Sequence, residues 1–270
     1  MLTIEQRMEI KREKERLLKE IINNNNKDIH QSENTNVDDV IWHGKRISSN
    51  KLPMPTHCLN DKKFCAKEYG ALIALSHGGN NVMHLEKNRY VYKNSFNTKQ
   101  LAQDLGIGRT TLESNIKKLE KLNYNVLEIE NSKNGIIYRL NYGLDSIKNT
   151  NEVNKFVTIN HKMLKELVCA FNSNTIKLYC FLSYTCNENS FTVLTEDYLC
   201  ENIGLSGKSE KNQSTVRSII KTLEKCRYIE TKKQNIFKWN DELKKQQPKI
   251  TKSYRLCSFD EWNKFDNELK

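Results

Sequence analysis

Residues 97–124, NTKQLAQDLGIGRTTLESNIKKLEKLNY, are followed about a hundred residues later by a segment of the same design, LCENIGLSGKSEKNQSTVRSIIKTLEKCRY (199–228). Internal repetition constrains the fold more than any other feature, because it means that one supersecondary unit is built twice. Placing Leu119 on Leu223 superposes Thr111 on Thr215, Ile116 on Ile220, Lys117 on Lys221, Glu120 on Glu224, Lys121 on Lys225 and Tyr124 on Tyr228. In the first copy Thr98 is expected to cap a short helix bearing Leu101, Ala102 and Leu105. Gly106 then suits a tight turn that needs a positive φ. A second helix follows from about Arg109, where Leu112, Ile116 and Leu119 recur at i, i+4 and i+7 as one buried stripe.

The flanking segments complete the unit. YGALIALS (69–76) supplies a preceding helix, and NVLEIENSKNGIIYRLNY (125–142) alternates apolar and polar residues about Asn131-Ser-Lys-Asn-Gly135. Such alternation around an Asn-Gly pair predicts a β-hairpin. The second copy repeats the order with IKLYCFLSYTC (176–186), TEDYLCENIGLS (195–206), QSTVRSIIKTLEKCRY (213–228) and then Ile229-Glu-Thr. A helix, a helix-turn-helix and a hairpin make a winged helix. The expected fold class is therefore mainly α with small β-hairpin wings (α+β), as two tandem winged helix-turn-helix domains plus an N-terminal charged helix. Only ten glycines and three prolines in 270 residues agree with a helix-rich chain.

The boundaries read as a charged helix at 1–22, a polar linker and lead-in at 23–60, a first winged-helix domain at 61–142 and a linker at 143–155. A second winged-helix domain with a long basic wing follows at 156–257, then a C-terminal tail at 258–270. The charged helix carries Met8, Leu17, Leu18, Ile21 and Ile22 as a thin apolar stripe. It reads equally as a dimerisation or partner helix and as a solvated helix docking on its own domain.

The face opposite the buried stripe repeats as well. Ser214, Ser218, Lys221 and Lys225 take the places of Thr110, Ser114, Lys117 and Lys121. A fold alone requires only the apolar stripe, whereas hydroxyls near a helix N-terminus can reach base edges and later lysines can neutralise phosphates. Arg109, Thr111 and Lys118 join the first set, and Gln213, Thr215 and Arg217 the second. Lys133 in the first wing and Lys232, Lys233 and Lys238 in the second complete the expected DNA-binding residues. The copies differ by about six residues, Gly207–Asn212, in the turn before the second recognition helix, and by the length of the second wing. Thr231–Lys252 holds seven lysines against Asp241 and Glu242, with Phe237 and Trp239 among them. This wing reads either as a basic arm along phosphates or the minor groove, or as a solvated loop with an anchoring aromatic.

A net charge of +11 fits a polyanionic partner. No apolar run is long enough to span a bilayer and the N-terminus is too charged for a signal peptide, so the expectation is a cytoplasmic protein with no membrane partner. None of the eight cysteines has CxxC spacing, and they read as reduced structural thiols. His57, Cys58, Cys65, His77 and His84 are too irregularly spaced to predict zinc, so no metal or cofactor is expected. His77-Gly-Gly79 reads as a turn after the first helix. Without a phosphate loop, HExxH, GxSxG or spaced carboxylates, no catalytic residue is assigned and the chain is read as non-enzymatic.

Two basic winged helices in tandem resemble theta-type plasmid replication initiators and related phage proteins. The resemblance spans about residues 60–257 and rests on architecture, chiefly the two repeated segments quoted above. It implies binding to repeated origin sequences, bending or melting of DNA, and recruitment of host replication proteins, with the N-terminal helix as a contact. Two further readings stay open: a dimeric transcription regulator on a promoter palindrome, and a protein-interaction scaffold that touches no DNA.

Overall fold

The computed structural model describes residues 40–42, 45–47, 50–77, 88–133, 135–142, 156–240 and 244–268. Val40–Lys270 form one compact unit. The expected helix at 1–22 and the linker at 143–155 lie outside the described residues, as does His84. The molecule is mixed α/β with small antiparallel sheets. A short ribbon, β1 (Val40–Trp42) with β2 (Lys45–Ile47), precedes the rest.

The first half runs β3 (Lys51–Pro55), α1 (Ala66–Leu75), β4 (Asn88–Tyr92), α2 (Thr98–Asp104), α3 (Arg109–Glu120), β5 (Leu127–Ser132) and β6 (Gly135–Asn141). The second runs β7 (Phe156–Asn160), α4 (His161–Ala170), α5 (Ser173–Thr185), β8 (Thr192–Val193), α6 (Glu196–Asn202), α7 (Glu210–Lys225), β9 (Ile229–Asn240), β10 (Lys245–Leu256) and α8 (Phe259–Glu268). Each half has a three-stranded antiparallel sheet of the same order. The strand before the paired helices joins the second strand of the hairpin after them, giving β4-β6-β5 and β8-β10-β9. α1 packs on α3, and α5 on α7.

Three expectations need correction. Asn97, not Thr98, caps α2, its side chain accepting from the amides of Lys99 and Gln100, so Thr98 is already helical. The lead-in at Lys51–Pro55 is a strand paired antiparallel with β7. The C-terminal tail contains α8, anchored by Trp262, which is 1% exposed and packs against Tyr228 and Phe259.

One continuous apolar core runs through both halves. At the junction, β3 and β7 place Leu52, Met54, Val157 and Ile159 inside, while α1 lies on α4. The crossing is close at Gly70, where a β-carbon would meet Val168 Cγ1 at 2.8 Å. Lys177 is buried, with its Nζ donating to the Asp61 carbonyl at 2.7 Å and lying over the Phe64 ring. Burial lowers its pKa, while Cys58 and Asp61 act in the opposite direction. Beside it, burial raises the Cys58 thiol. No described helix is long and apolar enough to cross a membrane.

Candidate nucleic-acid interface

The turn between the paired helices is built the same way twice. Asn97 caps α2, and Thr195 caps α6 by accepting from the Tyr198 amide. Both helices end in a glycine of positive φ, +64° at Gly106 and +82° at Gly204. The next amide then returns to the helix, from Ile107 to the Ala102 carbonyl and from Leu205 to the Cys200 carbonyl, each at 2.9 Å. These are αL helix ends, where glycine avoids the Cβ penalty. They aim α3 and α7 alike: Leu112, Ile116 and Leu119 are buried in one, and Val216, Ile220 and Leu223 in the other.

The inserted residues before α7 are not all turn. Ser209 caps the helix by accepting from the Asn212 amide, so Glu210, Lys211 and Asn212 form an added first turn. Gly207 is closed against α6, since a β-carbon there would meet the Asp197 carbonyl oxygen at 2.9 Å. Lys211 extends the Ser214, Ser218, Lys221, Lys225 face by one turn and is exposed. Sequence reasoning missed it. Its signal was Ser209 followed by an acidic residue, a helix start hidden inside the insertion.

The opposite faces are open. Thr110, Thr111, Ser114, Lys117, Lys118 and Lys121 are exposed on or just after α3, as are Ser214, Thr215, Ser218, Lys221 and Lys225 on α7. Other candidates are engaged within the chain. Arg109 pairs with Glu113 at 2.9 Å. Arg217 is held by Glu196 at 2.7 Å, and Gln213 donates to Asp197 and to the Gly207 carbonyl. Gln213 and Arg217 stand at the helix positions of Arg109 and Glu113, and in each copy the arginine is paired with a carboxylate, of its own helix in α3 and of α6 in α7. Lys118 donates to Asn115, which in turn donates to the buried Glu68.

The hairpins also correspond. Val126 and Tyr228 follow residues of positive φ, Asn125 and Arg227. The carbonyl of each accepts the amide that closes the hairpin, from Asn141 at 2.9 Å and from Cys257 at 3.1 Å. Tyr228 is therefore the counterpart of Val126, which corrects the pairing of Tyr124 with Tyr228: the second copy has two residues fewer between helix and hairpin. Tyr124 is half-buried against His57, whereas Tyr228 is fully buried among Phe171, Tyr179 and Trp262. Inside the hairpins Glu128 faces Arg139 and Glu230 faces Arg255 across the strands. The triplet Tyr-Arg-Leu thus occurs twice, at 138–140 and 254–256, a sequence repeat hidden by unequal hairpin lengths.

Both arginines are neutralised. Arg139 lies between Glu128 and Glu130, at 3.7 and 3.6 Å. Arg255 bridges Glu261 and Glu230; hydrogen bonds to these carboxylates raise its pKa, and its own bond to Glu261 holds that carboxyl low. Beyond this shared base the first hairpin runs only four more residue pairs, to Ser132 and Gly135, with Lys133 exposed in its turn. The second continues as an ordered ribbon with Lys232 and Lys233 exposed. Lys238 lies in β9. Among the described residues, no group of three or more His, Cys, Asp or Glu is placed to hold a metal ion. No protein-family model matches this chain, and no curated protein matches its sequence.

Proposed function

We propose that this chain is a sequence-specific duplex-DNA-binding protein of two winged-helix modules, with α3 and α7 as recognition helices. The observation that carries the reading is the matched exposure of Thr110, Ser114, Lys117 and Lys121 with Ser214, Ser218, Lys221 and Lys225. Two surfaces of equal chemistry on equally aimed helices are expected where the same kind of ligand is read twice, and a +11 chain makes that ligand a polyanion. Neutralisation of Arg109, Arg139, Arg217 and Arg255 leaves lysines and hydroxyls to face the DNA.

Tandem modules tied through β3 and β7 support a bipartite site of fixed spacing over two independent half-sites. That suits a replication initiator acting on repeated origin sequences, successive major-groove segments lying about 34 Å apart. Footprinting of the full chain on its own upstream DNA, across a salt series, is the test. Protected direct repeats beside an AT-rich segment support initiation. A single palindrome redirects the reading to transcription regulation, and absence of salt-sensitive binding would sink both.

A further inference from the structure

The second hairpin is longer than phosphate binding alone requires, and its outer part exposes large apolar side chains among polar ones. Its strands are twelve residues each, and the third strand, β8, meets β10 only at Ser253 and Tyr254. From Lys233 and Lys252 outward the ribbon stands free of its own sheet, for about 25 Å at roughly 3.3 Å per residue. On this free part sit Phe237, 72% exposed, and Ile250, 68% exposed, the two most exposed large hydrophobics among the described residues. Ile250 is register partner of Asn235, two residues before Phe237, so the two side chains occupy one face as diagonal neighbours.

The same face carries Lys233 directly opposite Lys252. Like charges at that spacing repel unless an anion lies between or beside them, and no described carboxylate pairs with either. An exposed apolar pair outward of a basic collar is an arrangement with which minor-groove proteins grip phosphates and wedge a side chain between base steps. Pro248, register partner of Phe237, has no amide, which disfavours continuous strand addition along β10 by a second copy.

We propose that the β9–β10 arm enters the minor groove of duplex DNA and inserts Phe237, backed by Ile250, between base pairs, kinking the helix. This rests on the DNA-binding reading above and adds a distinct act to it: α3 and α7 read the site, and the arm deforms it. Lys233 and Lys252 hold the flanking phosphates while the ring replaces the disrupted base stacking.

The experiment uses the full chain and the duplex protected in the footprint, dye-labelled at both ends for energy transfer, with 2-aminopurine placed at successive steps. The wild type is expected to shorten the end-to-end distance, as for a kink of roughly 20–90°, and to raise 2-aminopurine fluorescence at one step. The double variant Phe237→Ala, Ile250→Ala should abolish both signals, bind about tenfold more weakly and keep the wild-type salt slope. Phe237→Leu should retain much of the bend. Lys233→Ala with Lys252→Ala should instead lower the slope. An alanine double variant that binds and bends like wild type overturns the wedge while leaving the DNA-binding reading intact. So does one that alters self-association without DNA and leaves the bend unchanged. A wild type with no salt-sensitive binding overturns both.

Discussion

The hairpin after Asn125 and the hairpin after Arg227 open and close on equivalent hydrogen bonds and share a Tyr-Arg-Leu strand, yet the second encloses fourteen more residues between those bonds. All the added length lies beyond the shared Glu-Arg pair, where no third strand constrains it. A hairpin base packed on a core tolerates little change, whereas its distal end can be extended at small cost. The extension adds lysine and exposed apolar surface where the first copy has only a turn. Gly106 and Gly204 carry the same lesson in reverse. Their backbone conformation is the same, but no atom lies within 4 Å of a β-carbon built at Gly106, while one at Gly204 would sit 2.5 Å from the Asn60 carbonyl oxygen.

That contrast yields the largest expected effect. Gly204→Ala combines a positive φ with a backbone clash and should cost about 3 kcal/mol or more, against about 1 kcal/mol for Gly106→Ala. Urea denaturation of both variants measures the difference, and equal destabilisation would remove the asymmetry. Next, replacing residues 235–250 by Asn-Gly gives the second hairpin the length of the first. Affinity for the footprinted duplex should fall roughly a hundredfold, with the salt slope dropping by about 0.9 for each phosphate that the arm no longer neutralises. A variant with unchanged affinity would make the two hairpins functionally alike.

A smaller effect is expected where the halves meet. His77 at the end of α1 stacks on His161 at the start of α4 with ring centroids 3.9 Å apart. Burial first, then His77, Lys165 and Arg89, push His161 down to about 4, and burial lowers His77 as well. The folded state thus binds protons less readily than the unfolded chain, in which histidine titrates near 6.5. This stability is complete above about pH 6.5 and is lost as pH falls toward 4. The urea midpoint should decline across that window, and His161→Gln should flatten the decline. Smallest are the single lysines: Lys117→Ala and Lys221→Ala should each lower the salt slope by about one unit. Arg217→Ala, whose side chain is tied to Glu196, should leave the slope unchanged. A change in only one lysine variant would assign DNA binding to one half alone.

Much of the repeated unit was legible because it depends on local periodicity. The stripe Leu112, Ile116, Leu119 and the turn glycine Gly106 specify α3 and its approach before any long-range pairing forms. What escaped depends on pairing across the chain. Pro53 and Pro55 disguised β3, because proline argues against a strand unless its missing amide faces away from the sole partner, as an edge permits. The shift between Tyr124 and Tyr228 escaped because two equal letters at one constant offset concealed a two-residue deletion. Of the candidate site, exposure on α3 and α7 followed from the helix pattern. The engagement of Arg217 and Gln213 did not, since it depends on where Glu196 and Asp197 stand on a different helix.

The pairing of β3 with β7 also governs how the chain emerges during synthesis. Pro55 and Phe156 are register partners about a hundred residues apart, so at roughly 5–20 residues per second β3 waits about 5–20 s for its neighbour. Throughout that interval the nascent first half presents Leu52 and Met54 without their cover, an apolar edge open to other chains. Pro53 and Pro55 withhold amides from the opposite edge of β3, so strand addition is blocked on that side while the first side waits for β7. Replacing both with valine would leave the finished pairing intact while lowering the soluble yield, because it restores amides to the edge of β3 that β7 never covers.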